Sequence, residues 1–192
     1  SVVVKHNLKD IGMECGGGMS VFLEPLNPAP QLFVFGAGHI GSVLARIGKM
    51  LDFSVAVIDD RPEYANAEKL PGVDTVIPRP YTDAIKELTF TQQTYIVILT
   101  YKHAHDFEVL AECINKPYRY LGMIGSRKKV NTCLEGLLEQ GVGEDRIETI
   151  HAPVGIDISA NTPSEIAVSI AAELIAERNK EGATPFVCPS HA

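Results

Sequence analysis

The sequence lacks the features that mark three common kinds of protein. Its four cysteines form no CxxC pair, and 192 residues make the chain larger than a small disulfide-rich scaffold. No apolar run approaches the ~20 residues that span a bilayer, and no cationic start followed by an apolar run marks a signal peptide. We therefore expect a cytoplasmic protein with reduced thiols and no membrane span.

The sequence also lacks a surplus of positive charge. Its 17 lysine and arginine residues against 24 aspartate and glutamate residues give a formal net charge of −7. This balance argues against a nucleic-acid partner or an anionic membrane surface, although it does not exclude a small anionic ligand. The length fits one domain with short extensions. We expect an N-terminal extension over 1–30, a nucleotide-binding domain over 31–180 and a loose tail over 181–192.

A glycine-rich turn near the start of that domain is the main evidence for nucleotide binding. The apolar run 32–35 reads as a buried strand, and it leads directly into Gly36, Gly38 and Gly41 with GxGxxG spacing. An amphipathic helical pattern follows at once. In a dinucleotide-binding turn the three glycines allow the tight turn, the approach of a pyrophosphate and the close packing of the helix. His39 lies at the start of this helix, where it is either a phosphate donor or an exposed helix residue.

Strand and helix patterns alternate through the rest of the domain. This alternation predicts an α/β fold, a Rossmann-like doubly wound parallel sheet with helices on both faces. The last helix begins with a capping box of Thr162, Pro163 and Glu165, and its apolar side docks on a second protomer or on the sheet. A homodimer is thus left open. The predicted strands are 32–35, 54–58, 73–77, 95–99 and 118–124.

An acidic residue follows the second predicted strand of the domain. Asp59 lies about 20 positions after the glycine turn, where such a residue accepts hydrogen bonds from the adenine ribose. Arg61 is placed to receive a 2′-phosphate, but the negative charge of Asp59 favours NAD over NADP. Both residues are predicted to bind a cofactor.

Two further strand ends carry polar residues. Thr100, His103 and Asp106 follow the fourth predicted strand, and we interpret them as a phosphate- or substrate-facing loop rather than a metal site. A second loop also has the pattern of an anion-binding site. In it, a glycine and a hydroxyl side chain precede positively charged residues at the start of a helix. Its predicted ligand-binding residues are Gly125, Ser126 and Arg127.

Cys15 stands directly before three glycines, outside the predicted sheet. The open backbone around it would leave a thiolate accessible to a partner. A linker with an incidental cysteine explains the same residues, and the chemistry alone does not separate these two interpretations.

Six segments, taken together, resemble the xanthine dehydrogenase accessory factors, the XdhC/CoxI family. The resemblance runs from Cys15 to about Arg178, and Tyr101 departs from it, since many relatives carry His or Arg there. Residues 1–30 are similar to the last stretch of the family's N-terminal domain. The matching segments are CGGG at 15–18, GAGHIG at 36–41, DDRPE at 59–63, GMIGSRK at 122–128, APVGIDI at 152–158 and TPSEIAVSIAAELI at 162–175.

The resemblance implies a maturation protein more than a catalyst. Such a protein binds molybdenum cofactor, as molybdopterin or its dinucleotide form, during sulfuration and delivers it to an apo-molybdenum hydroxylase. A cysteine desulfurase is then the second expected partner, and Cys15 is a candidate metal ligand or sulfur acceptor. An NAD(P)-dependent oxidoreductase and a non-catalytic dinucleotide sensor remain as alternatives.

Overall fold

The computed structural model describes residues 2–7, 18–23 and 29–180. Strand β1 (Val2–Asn7) and strand β2 (Gly18–Leu23) pair antiparallel in a two-stranded sheet of their own. Cys15 and the predicted tail lie outside the described residues. No described helix is both long enough and apolar enough to cross a membrane.

The main sheet has six strands, and all of its pairings are parallel. The strand order is β5-β4-β3-β6-β7-β8, so the chain first builds one side of β3 and then crosses to build the other. This order is that of a dinucleotide-binding fold. The strands are β3 (Gln31–Phe35), β4 (Ser54–Ile58), β5 (Thr75–Ile77), β6 (Thr94–Ile98), β7 (Tyr120–Met123) and β8 (Ile150–His151).

Helices cover both faces of this sheet. Because successive side chains of a strand point to opposite faces, Leu32 and Val34 join one apolar core while Phe33 and Phe35 join the other. Helices α1 and α6 pack on the first core, and α2, α3 and α4 on the second. The helices are α1 (His39–Met50), α2 (Tyr81–Glu87), α3 (His103–Cys113), α4 (Arg127–Glu139), α5 (Glu144–Ile147) and α6 (Pro163–Arg178).

The doubly wound sheet confirms the predicted fold class. The predicted capping box is also present, since Thr162 accepts from the backbone of Glu165 while the Glu165 carboxylate accepts in return. Sequence periodicity missed the short helix α5. It also left the partner of α6 undecided, whereas α6 packs on α1 and the Arg178 guanidinium donates to the Leu51 carbonyl oxygen at 2.8 Å.

The strand order places a crevice where the chain changes direction. Strands β4 and β6 flank β3, and the loops that follow these three strands meet at the carboxyl edge of the sheet. Ligands of open parallel sheets bind at this switch point. The edge therefore holds the candidate functional site.

Candidate functional site

The three glycines of the turn have different structural reasons to be glycine. Gly36 has φ +120°, and a Cβ on it would overlap the carbonyl group of Leu99; a Cβ on Gly41 would overlap the carbonyl oxygen of Gly36. A Cβ on Gly38 would meet no atom within 4 Å. Packing of the protein itself therefore requires Gly36 and Gly41, whereas Gly38 leaves space open at the edge of the sheet.

Helix α1 presents an open N-terminus beside that space. Gly38 is its N-cap and provides no side-chain hydrogen bond, and the first turn contains no acidic residue. The exposed residue His39 is the first of the helix. Unsatisfied N–H groups and the positive end of the helix dipole make such a terminus attractive to an anion.

Asp59 is fully buried and is held by the protein's own donors. Its carboxylate accepts from the backbone N–H of Ala37 at 2.7 Å and of Arg61 at 3.1 Å. The guanidinium of Arg61 adds two bonds of 2.8 Å. Burial alone would raise the pKa of Asp59, but these hydrogen bonds outweigh it and hold the pKa below its ordinary value of 3.8. In this structure Asp59 thus ties the glycine turn to the next loop, and its role toward a ribose stays a prediction.

The side chain of Arg61 is enclosed by aromatic rings. Its guanidinium carbon lies 4.1 Å from the ring centre of Tyr64 and 3.9 Å from that of Tyr101. The Tyr101 hydroxyl donates to the Asp60 carboxylate at 3.1 Å, so it joins the loops after β4 and β6. The hydrogen bond to Asp59 raises the pKa of Arg61, which keeps the guanidinium charged.

A second buried carboxylate, that of Asp106, connects the loop after β6 with α4. Asp106 is 1% exposed and accepts from the Thr100 backbone N–H at 3.0 Å and from the Thr100 hydroxyl at 2.7 Å. It also forms an ion pair with Lys129, whose ammonium group donates to the Ile124 carbonyl oxygen at 3.0 Å. Thr100 and Asp106 therefore connect strand ends and helices, and the exposed His103 does not take part. Sequence reasoning missed Lys129.

Helix α4 begins with a cation, Arg127, and its first turn contains no acidic residue. Ser126 caps the helix, and its hydroxyl oxygen accepts from the Lys129 backbone N–H at 3.3 Å. Gly125 precedes it at the strand end. Arg127 is exposed and has no hydrogen-bond or ion-pair partner among residues 29–180. A cation at the positive end of a helix is unfavourable unless an anion joins it.

A cavity of about 950 Å³ lies between α3 and α4. It reaches the carboxyl edge at His103 and Ser126. Phe107 and Gly136 line it further down, and Lys128 lies on its rim. A volume of this size is sufficient for a small organic ligand.

A histidine and a glutamate that were not predicted as site residues meet at the end of β8. The His151 Nδ1 atom lies 2.9 Å from the Glu173 carboxylate, which also accepts from Tyr120 and from the Gly155 backbone N–H, both at 2.6 Å. Burial opposes ionisation of Glu173, but the bonds from His151, Tyr120 and Gly155 lower its pKa. His151 lies beside one segment of the family resemblance and Glu173 lies within another. The two residues are far apart along the chain, so the sequence does not indicate that they pair.

The described cysteines are buried and free of disulfide bonds. Burial raises the pKa of the Cys113 thiol to about 12 and also raises that of Cys133, so both thiols stay protonated and unreactive at neutral pH. Within residues 29–180, no three His, Cys, Asp or Glu side chains lie together as a metal site would need.

Comparison with known proteins identifies the domain. The XdhC Rossmann domain matches residues 32–174. The uncharacterized protein YqeB of Escherichia coli K12 is 36% identical over 190 residues, which are 98% of this chain and 35% of that protein. A probable xanthine dehydrogenase subunit of Bacillus subtilis 168 is 30% identical over 161 residues, 84% of this chain and 47% of that protein.

A solved structure agrees with these relatives. The crystal structure of a xanthine dehydrogenase from Bacillus halodurans superposes with a TM-score of 0.72 at 29% identity, over 83% of this chain and 46% of that one. The chain thus spans less than half the length of each of these proteins. The resemblance found in the motifs is confirmed, and the chain belongs to the family that carries the XdhC Rossmann domain.

Proposed function

We propose that this chain is the cofactor-binding part of an accessory protein in a xanthine dehydrogenase system. In this proposal it binds molybdenum cofactor through the cofactor's phosphate and holds it for an apo-molybdenum hydroxylase. The Bacillus subtilis and Bacillus halodurans relatives, both named for xanthine dehydrogenase, support the system. The open N-terminus of α1 at Gly38 is the observation that supports the phosphate site.

The residues at the edge fit a phosphate group. The N–H groups at the start of α1 supply donors, and Arg127 supplies a positive charge that lacks an anionic partner among the described residues. Strands β3 and β7 are two positions apart in the sheet, and the helices that follow them, α1 and α4, begin at the same carboxyl edge on opposite faces.

We assign the pterin ring to the cavity between α3 and α4. The cavity begins at Ser126, next to Arg127, and Phe107 offers an aromatic surface for a flat heterocycle. When bound, the cofactor supplies the metal and its dithiolene sulfur atoms, and the chain's own residues hold its phosphate and ring. The predicted thiol role of Cys15 and the partnership with a cysteine desulfurase stay proposals.

A binding experiment with two variants tests the phosphate site. Gly38→Ala adds a methyl group that touches no protein atom, so the melting temperature stays near that of the wild type while the affinity for molybdopterin falls about tenfold or more. Arg127→Ala is expected to weaken binding similarly. Arg46→Ala is the matched control, because it removes an exposed arginine from the body of α1.

The readout is co-elution of the pterin with the protein in gel filtration, followed by fluorescence of its oxidised form. Loss of pterin from the Gly38 and Arg127 variants, with retention by wild type and Arg46→Ala, supports the proposal. Equal retention by all four proteins contradicts the phosphate site. Including Cys15→Ala in the same series separates a thiol ligand from a site at the edge of the sheet.

A further inference from the structure

The nucleoside side of the crevice is closed by the protein's own side chains. Asp59 directly follows β4, where dinucleotide-binding folds place the acidic residue that binds the ribose. A base attached to that ribose would lie between the loops after β4 and β6, because these strands flank β3 and its glycine turn. Arg61 and Tyr101 belong to these two loops.

The slot between these two residues has no room for a base. The Arg61 guanidinium carbon lies 3.9 Å from the Tyr101 ring centre, which is direct stacking contact. A flat base inserted between the two would need a separation of about 7 Å, twice a carbon contact distance of about 3.5 Å. The Tyr64 ring is a second aromatic neighbour of the guanidinium, with its centre 4.1 Å from the guanidinium carbon.

The closed arrangement is also tied to the buried charge beneath it. Both carboxylate oxygens of Asp59 accept hydrogen bonds, and two of its four donors belong to the Arg61 guanidinium. Moving Arg61 aside would leave a fully buried carboxylate short of partners, which is costly. Tyr101 is held in place by its hydrogen bond to Asp60 at 3.1 Å and by the His105 ring, whose centre lies 5.3 Å away.

We propose that the crevice accepts a pterin that ends in a phosphate and rejects ligands that carry a nucleoside beyond it, and that Tyr101 enforces this selectivity. The rejected class includes the dinucleotide form of the cofactor and NAD(P). This inference rests on the proposed function, since it names the form of the cofactor that the same site takes. Tyr101 supplies the ring that completes the closed slot, because it stacks on the Arg61 guanidinium.

We choose Tyr101 for substitution, because removing Arg61 would leave the buried Asp59 carboxylate without its guanidinium donors. Tyr101 is 41% exposed, so Tyr101→Ala is tolerated by the fold and leaves one face of the guanidinium free to stack on a base. Tyr101→Phe is the matched control, because it keeps the stacked ring and loses only the bond to Asp60.

Equilibrium dialysis against molybdopterin, its cytosine dinucleotide form and NAD measures the selectivity. The wild type is expected to bind molybdopterin at least 100-fold more tightly than either nucleoside-bearing ligand. Tyr101→Ala is expected to bind the nucleoside-bearing ligands more tightly, so that the ratio of the affinity for molybdopterin to the affinity for these ligands falls about tenfold. Tyr101→Phe is expected to leave this ratio unchanged.

The wild-type ratio is informative even if Tyr101→Ala fails to fold. Equal affinity of the wild type for molybdopterin and the dinucleotide form overturns the selectivity and leaves the proposed function intact. Equal weakening of all three ligands by Tyr101→Ala overturns the role of Tyr101. Binding of none of them by the wild type overturns the selectivity and the proposed function together.

Discussion

Two arginines at the carboxyl edge of the sheet differ in their surroundings: one is paired with a buried carboxylate, and the other is exposed. Arg61 follows β4 and shares its charge with a buried carboxylate two residues before it, under two aromatic rings. Arg127 follows β7, is exposed, and has no charged partner within residues 29–180. The same side chain at similar places in two βα units is therefore structural in one and free for a ligand in the other. The residue two positions before each arginine makes the difference, because it is the carboxylate Asp59 before Arg61 and Gly125 before Arg127.

The largest expected effect comes from removing each arginine in turn. Arg61→Ala is expected to lower the free energy of unfolding by about 3 kcal/mol, because it leaves the Asp59 carboxylate buried with only backbone donors. Arg127→Ala is expected to change it by less than about 0.5 kcal/mol. Urea unfolding followed by circular dichroism measures both. Equal losses in the two variants would show that the comparison between the arginines is wrong.

Two neighbouring lysines sharpen the comparison within one helical turn. Lys129→Met is expected to cost about 2 kcal/mol, since it removes the cation that pairs with the buried Asp106. Lys128→Met changes the same residue type on the exposed rim of the cavity and should cost almost nothing. Urea unfolding again separates the two, and a loss of stability in Lys128→Met as large as that in Lys129→Met would contradict the assignment.

The smallest effect concerns Glu173 and depends on pH. Glu173→Gln should lower the free energy of unfolding by about 1 kcal/mol at pH 7, because it weakens charge-assisted bonds to His151 and Tyr120. The pKa of Glu173 is lower in the folded state than its ordinary value of 4.5, so its ionised form adds stability above that pH. The gap between wild type and variant should stay constant while the pH remains well above 4.5. It should narrow as the pH falls below 4.5, and a gap that widens there would contradict the prediction.

The sequence predicted the fold well because its signals are local. The glycine spacing, the apolar strands and the capping box at Thr162 each depend on residues within a few positions of one another. The short helix α5 escaped because four residues carry too little periodicity to be recognised.

The candidate site was predicted only in part, because its contacts join distant segments. The sequence placed Asp59, Thr100 and Asp106 at the edge of the sheet, but it could not show that other residues of the chain already occupy their oxygen atoms. Sequence reasoning selected Arg127 and overlooked Lys129, because the contact of Lys129 also joins distant segments. Its partner Asp106 lies 23 positions away, and only the packing of α4 against α3 brings the two together.

The packing of α6 on α1 has a consequence for how the chain is made. Arg178 and Leu51, which are hydrogen-bonded across this contact, are 127 positions apart. A ribosome that adds about 5–20 residues per second needs roughly 6–25 s to synthesise that interval. Throughout it, the apolar side of α1 around Leu44 and Ala45 has no helix to cover it. The nascent chain therefore contains its first βα unit for several seconds before α6 is synthesised and can close the domain.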